Sequence, residues 1–143
     1  MEMATTLTHS SLHSGLFYDD LLPRRLIKQE VPITRALFLW SEGVVPYFRV
    51  MYPERLVLLR LISGLICEKL AGDPKISEVK LKFRGRILVG ETVRITMRLA
   101  RRFGFSSSCE PNVLAVPLRV KCAVDGEWLA RGTLHVSVLR RKP

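Results

Sequence analysis

Pro53–Gly72 reads PERLVLLRLISGLICEKLAG, and between Leu56 and Leu70 it is apolar at nearly every step, with charges only at Arg60, Glu68 and Lys69. A helix that is apolar around most of its circumference cannot rest on a surface, so other elements must wrap it on several sides. Pro53 suits the first helical turn, where its missing N–H is no loss, and Gly72 suits the position just past the end. Roughly eighteen residues at the helical rise span about 27 Å, which is marginal for a bilayer once Arg60 and Glu68 are counted. The stretch predicts a core helix and no membrane span.

The downstream sequence shows what wraps it. Val79, Leu81 and Phe83 alternate with Lys80, Lys82 and Arg84, and Val93, Ile95, Met97 and Leu99 alternate with Arg94, Thr96, Arg98 and Ala100. Val116, Leu118, Val120, Cys122 and Val124 alternate with Pro117, Arg119, Lys121 and Ala123, and Trp128 to Val138 repeats the pattern. Four amphipathic strands of period two, joined by short turns, predict a curved antiparallel sheet with one face on the helix, an α+β architecture. Asp125-Gly126 is the turn pair of a tight hairpin between the last two strands.

Upstream, Gln29 to Ile33 reads as a short strand, Thr34 as the cap of a helical turn carrying Leu37, Phe38 and Trp40, and FYDDLLP (Phe17–Pro23) as a lead-in turn. SEGVVPYF (Ser41–Phe48) is punctuated by Gly43 and Pro46 and forms the loop before the central helix, and loops held by a rigid scaffold carry function. Met1 to Ser14 reads as a flexible tail, residues 15–143 as a single domain, Gly104 to Asn112 as a long connection, and the basic end from Arg140 as a short frayed tail.

At 143 residues and 48% hydrophobic, the chain can bury one core without staples. Cys67, Cys109 and Cys122 have no metal-ligand spacing, and Cys67 and Cys122 sit in apolar runs, so they read as reduced core thiols. His9 and His13 belong to the tail and His135 to the polar side of its strand, so no metal or cofactor is expected. Met1 to Gly15 lacks the charged start and apolar run of a secretory leader, and a cytoplasmic location is expected.

The net charge of +10 asks for a reason. Alternation places Lys80, Lys82, Arg84, Arg94, Arg98, Arg119, Lys121 and Arg131 on the face away from the helix. One reading is a solvated face that keeps the sheet soluble, and another is a dock for an acidic protein such as an acyl carrier protein. Nucleic acid is not expected, because its readers interleave aromatics for stacking and the alternation puts none on this face.

A lead-in strand, one buried helix and four strands make the hot-dog layout, and over roughly Gly15 to Val138 the chain resembles the MaoC-like hydratase and dehydratase family. FYDDLLP is similar to that family's opening phrase, LISGLI (Leu61–Ile66) to its central-helix segment, and FRGRILVGETVRI (Phe83–Ile95) to its strand, glycine, acid, strand signature. The resemblance implies a homodimer that joins two sheets edge to edge and closes a tunnel for an acyl thioester between subunits. In that family the loop before the helix reads approximately Ser-Gly-Asp-x-Asn-Pro-x-His, and its aspartate and histidine activate the water added to an enoyl thioester. Aligned on Ser41 and Pro46, Gly43 stands for the aspartate, Val45 for the asparagine and Phe48 for the histidine, while the His-Gly pair of the helix start falls near Leu58 and Leu59. Gly43 and Phe48 cannot exchange a proton, and losing one such catalyst costs ~10²–10⁴-fold. Ordinary hydration is therefore not expected.

What the departures leave is hydrophobic. Ser41, Val45, Pro46, Phe48, Leu58 and Gly64 are the candidate substrate-binding residues, for a hydrophobic acyl or polyketide-like chain, and Glu42, Tyr47 and Glu68 are the candidate catalytic groups. Glu42 neighbours the vacated aspartate position and reads either as a solvated loop acid or as a base turned inward; Tyr47 either packs or donates a hydrogen bond to a carbonyl. Helical spacing sets Val57, Leu61, Gly64 and Glu68 on one stripe, which carries Glu68 toward the apolar side, where some hot-dog thioesterases use a helix carboxylate. The other reading leaves Glu68 exposed near Lys69 and Asp73. Gly64 costs about 1 kcal/mol against alanine in mid-helix, so close packing or ligand access is its reason. The expected function is binding of such a chain with a repurposed isomerisation or cyclisation in a specialised biosynthetic pathway. The alternatives are a non-catalytic subunit of a heterodimeric acyl-thioester dehydratase and an acyl thioesterase using Glu68.

Overall fold

In the computed structural model, residues 15–22, 25–38, 53–100, 106–107 and 112–141 are described. The central helix α1 (Pro53–Lys69) lies on the inner face of an antiparallel sheet built from β1 (Ile27–Pro32), β2 (Ile76–Phe83), β3 (Thr92–Leu99), β4 (Ser106–Ser107), β5 (Val113–Val124) and β6 (Glu127–Leu139). The strand order is β1-β3-β5-β6-β2, with the two-residue β4 paired to β5. The four long strands and the helix follow the sequence reading; β1 starts two residues before the expected Gln29, and β4 falls within the expected long connection.

The helix and the strand alternation meet in one core. Val57, Leu58, Ile62, Leu65 and Ile66 of α1 are buried in one cluster with Val93, Ile95, Met97 and Leu99 of β3, Val116, Leu118, Val120 and Cys122 of β5, and Leu134, Val136 and Val138 of β6. Burial of each large aliphatic side chain contributes about 1.5–3 kcal/mol, so this interlock dominates the stability of the fold. Pro117, buried in β5, looks like a strand breaker but sits past the end of β3. Its carbonyl accepts from Ala100 N–H at 3.0 Å, so its own nitrogen also points to the side where the ladder has stopped.

Local chemistry sets the connections. Asp125 and Gly126 take positive φ of 50° and 83°, and the β5–β6 hairpin turns on them as expected. Between β2 and β3, the Glu91 carboxylate accepts from Leu88 N–H at 2.6 Å and Gly90 N–H donates to the Ile33 carbonyl at 3.0 Å. The glycine-acid pair of the signature thus holds a turn onto the end of β1. Gly132 in β6 has φ of 156°, and a Cβ there would fall on the Lys80 carbonyl oxygen, so only glycine lets β2 approach β6 at this point.

Four expectations change. Val79 is 47% exposed, because β2 is an edge strand with β6 as its neighbour and α1 does not reach over it; Lys80 and Lys82 are the charges that blunt such an edge. Trp128 does not face the core. Cys122 pairs with Ala130 but Ala123 pairs with Trp128, leaving Leu129 as an extra residue, and this bulge turns Trp128 to the Arg131 side of the sheet. The basic end is tied at Arg141: its backbone N–H donates to Asp19 Oδ2 and its Nη1 to Asp20 Oδ1, both at 2.8 Å, and its guanidinium lies 4.9 Å from the centre of the Phe17 ring. Cys67 is exposed while Cys122 is buried, so the core-thiol expectation holds for one of the two.

The lead-in also closes the helix. Leu16 N–H donates to the Lys69 carbonyl at 2.8 Å and Ala71 N–H to the Leu16 carbonyl at 2.9 Å, which satisfies a terminal carbonyl that α1 cannot satisfy itself. Among the described residues no helix is long and apolar enough to cross a membrane.

Candidate functional site at the start of the central helix

The first turns of α1 meet the β2–β3 connection and β6. Glu54, Arg55 and Leu58 from the helix, Phe83 from β2, Arg84 to Ile87 from the connection and Leu129 from the bulge line a cleft of ≈ 10 Å³. That is room for about one water. Leu58 and Ile87 are buried, and Phe83 and Leu129 are partly buried against the core. The Arg55 guanidinium lies 5.2 Å from the centre of the Phe83 ring, and Glu54, Arg84 and Arg86 add further charge to the lining.

Of the residues predicted from sequence, Leu58 lines this cleft. Ser41, Glu42, Val45, Pro46, Tyr47 and Phe48 lie outside the described residues, as do Trp40 and Cys109. Gly64 is exposed, and a Cβ added to it would meet nothing within 4 Å. The Glu68 side chain is 68% exposed, with its Oε1 3.9 Å from Lys69 Nζ. The stripe expected to carry Glu68 inward therefore turns outward after Leu61. Arg60, Gly64, Cys67 and Glu68 form an exposed face of α1, and the helix is wrapped on fewer sides than its apolar run implies.

Sequence reading passed over Glu54 and Arg55, the charged residues that the helix brings to the cleft. Their signal was position: they stand in the first turn after Pro53, where a carboxylate is favoured by the free N–H groups of the helix start. Thiol chemistry is not placed here. Burial pushes the Cys122 thiol up to about 12, so it stays protonated and inert. Among the described residues no group of His, Cys, Asp and Glu is arranged to hold a metal ion.

No protein-family model matches the sequence, and no curated protein matches it. Solved structures do. A MaoC-like dehydratase from Rhodospirillum rubrum superposes with a TM-score of 0.69 at 16% identity, covering 90% of this chain and 100% of its own. An R-hydratase from Pseudomonas aeruginosa in its unliganded form gives 0.61 at 15% identity over 89% and 88%. A hot-dog-like protein from Thermanaerovibrio acidaminovorans gives 0.56 at 14% identity over 87% and 88%. With the helix, the strand order and the lead-in in place, this chain has the hot-dog fold seen in MaoC-like dehydratases and R-hydratases.

Proposed function

We propose that this protein holds a hydrophobic acyl or polyketide-like thioester and, in a specialised biosynthetic pathway, guides its isomerisation or ring closure rather than its hydration. The cleft at the start of α1 carries this reading. Leu58, Phe83, Ile87 and Leu129 form its apolar side and Glu54, Arg55, Arg84 and Arg86 its charged side, with room for about one water. On the loop alignment Gly43 and Phe48 supply no proton-exchanging group for an attacking water, and the apolar side of the cleft marks where a hydrocarbon chain abuts the core. On the same alignment, Val45 and Phe48 contact substrate carbon, Ser41 and Pro46 are further binding residues, and Tyr47 or Glu42 supplies the polar contact. Gly64, on the open face of α1, leaves passage for the chain against a second protomer of a homodimer.

Isomerisation requires one base that takes a proton from one carbon of the chain and returns it to another, with no net change in atoms or charge. A single carboxylate suffices for this, and holding the chain in a reactive geometry supplies several kcal/mol more. The thioester arrives on coenzyme A or on an acyl carrier protein. Crotonyl-coenzyme A hydration by the pure protein is expected at background, and rapid turnover would reject the reading. Phe48→Ala is expected to weaken acyl-chain binding or scramble products in a folded protein. Wild-type affinity and products would remove the loop from the pocket wall.

A further inference from the structure

The face of the sheet away from α1 is ordered by register into two lateral rows. Lys82, Arg131, Lys121, Thr96 and Lys28 follow one another across β2, β6, β5, β3 and β1, and Lys80, Thr133, Arg119 and Arg98 form the next row. All seven cations are exposed and neither row contains a carboxylate. Lys82 stands directly opposite Arg131, Arg131 opposite Lys121, and Arg98 opposite Arg119. Like charges directly opposite on a sheet destabilise it.

The acids of this face lie outside the rows. Glu30 pairs with Arg94 at 2.8 Å on one side, and Glu78 meets Lys80 at 3.2 Å and His135 at 3.4 Å on the other. Among the described residues Lys28, Lys82, Arg98, Arg119 and Lys121 have no ion-pair partner. Between the acidic flanks runs a groove of ≈ 630 Å³, lined by Lys80, Lys82, Arg98, Arg119, Lys121 and Arg131.

We infer that this groove docks an acidic α-helix of a partner protein, lying across the strands. Independently of what the pocket at α1 holds, three features favour that occupant. The first row extends over four inter-strand steps, about 19 Å, the second over three, and the two lie about 7 Å apart; a helix of ~13 residues has the length of the first, and its i, i+4 and i+7 carboxylates meet successive cations. Backbone N–H groups of the inner strands are used in the ladder, so among the described residues the rows do not converge amides of the kind that cradle a small phosphate. Trp128, the aromatic of this face, is already engaged by the guanidinium groups of Arg84 and Arg131, 4.5 and 4.2 Å from its ring centre, and offers no open platform for a nucleobase.

The test uses the full chain and a dye-labelled helical peptide of eighteen residues with glutamates at i, i+4, i+7 and i+11, followed by fluorescence anisotropy. Binding is expected at low salt, weakening as the Debye length shrinks. Reversing two row charges together, Arg119→Glu with Lys121→Glu, is expected to lower affinity about tenfold or more. The same charge change away from the rows, Arg35→Glu with Lys75→Glu, is expected to lower it less than twofold. Because the row reversal relieves the opposed pairs, its melting temperature should not fall. Equal losses for the two double variants would reduce the effect to net charge and overturn the inference. It is also overturned if a peptide of the same composition with scrambled spacing binds equally, or if single-stranded DNA of fifteen nucleotides or vesicles containing anionic lipid bind more tightly than the helical peptide.

Discussion

Replacing Gly64 by alanine separates what the helix needs from what the pocket needs. In mid-helix, alanine is favoured over glycine by about 1 kcal/mol, and at Gly64 the added Cβ meets nothing within 4 Å on the exposed face of α1. No packing penalty opposes the gain, so the ligand-free melting temperature is expected to rise by about 3–4 °C for a chain of this size. The proposed acyl passage predicts the opposite for binding. One extra methyl in a hydrophobic path costs about 1–3 kcal/mol, or 10-fold and upward in affinity, and at saturating ligand a tenfold loss removes about 1.4 kcal/mol of ligand-induced stabilisation. Thermal unfolding followed by circular dichroism, with and without a long-chain acyl-coenzyme A, reads both effects from the same samples. A lower ligand-free melting temperature would mean that protein covers Gly64, against the open face deduced from α1. A ligand-induced shift equal to that of the wild type would take Gly64 out of the path of the chain.

Two further outcomes test the frame around the site. Asp20 is held below its ordinary carboxylate value, first by the Phe17 N–H bond and then by Arg141, against the opposing effect of partial burial. Its stabilisation is therefore present above the unfolded-state pKa and lost as pH falls through the depressed folded value. Asp20→Asn should cost about 1 kcal/mol in urea unfolding at pH 7 and converge with wild type in acid; an equal gap at both pH values would show that the clasp is not ionic. Iodoacetamide on the native protein should modify exposed Cys67 and spare Cys122, whose thiol stands at about 12. Peptide mapping that finds Cys122 alkylated at the rate of Cys67 would break the assigned burial of β5.

How far the sequence could be read depended on the range of the interactions involved. The strand alternation and the Asp125-Gly126 turn are local, and both appear where they were expected except at Val79 and Trp128. The apolar run of α1 was also local, but it overstated the wrapping: Gly64 and Cys67 carry no charge to mark an exposed face, so hydropathy alone could not separate them from Ile62 or Leu65. Arg60 and Glu68 were the visible markers, and the alternative reading of Glu68, an exposed last-turn acid beside Lys69, describes where it lies. The clasp of Asp19 and Asp20 on Arg141 joins residues 122 and 121 positions apart, so nothing next to Arg141 announces it. The candidate loop resisted for another reason: its chemistry was read from what Gly43, Val45 and Phe48 cannot do, and an absence of proton-exchanging groups narrows a reaction without naming one.

Trp128 shows how one residue changes the meaning of a surface. Period-two reading from Val138 backwards sends Trp128 to the core, and it does so for any uninterrupted strand. The extra Leu129 at the bulge moves it to the outer face, where Arg84 and Arg131 lie over it. Had the tryptophan been free there, the basic face would have gained the stacking platform whose absence argued against nucleic acid. Because two guanidinium groups already lie over its ring, Trp128 gives a nucleobase no open surface on which to stack. The cations themselves were legible from alternation, but which of them stand opposite one another was not, since lateral order comes from register. The β5–β6 turn and the bulge fix that register, and through it they set Lys82, Arg131 and Lys121 side by side while Glu30 and Glu78 fall to the flanks. A basic composition became a directed groove only through pairing.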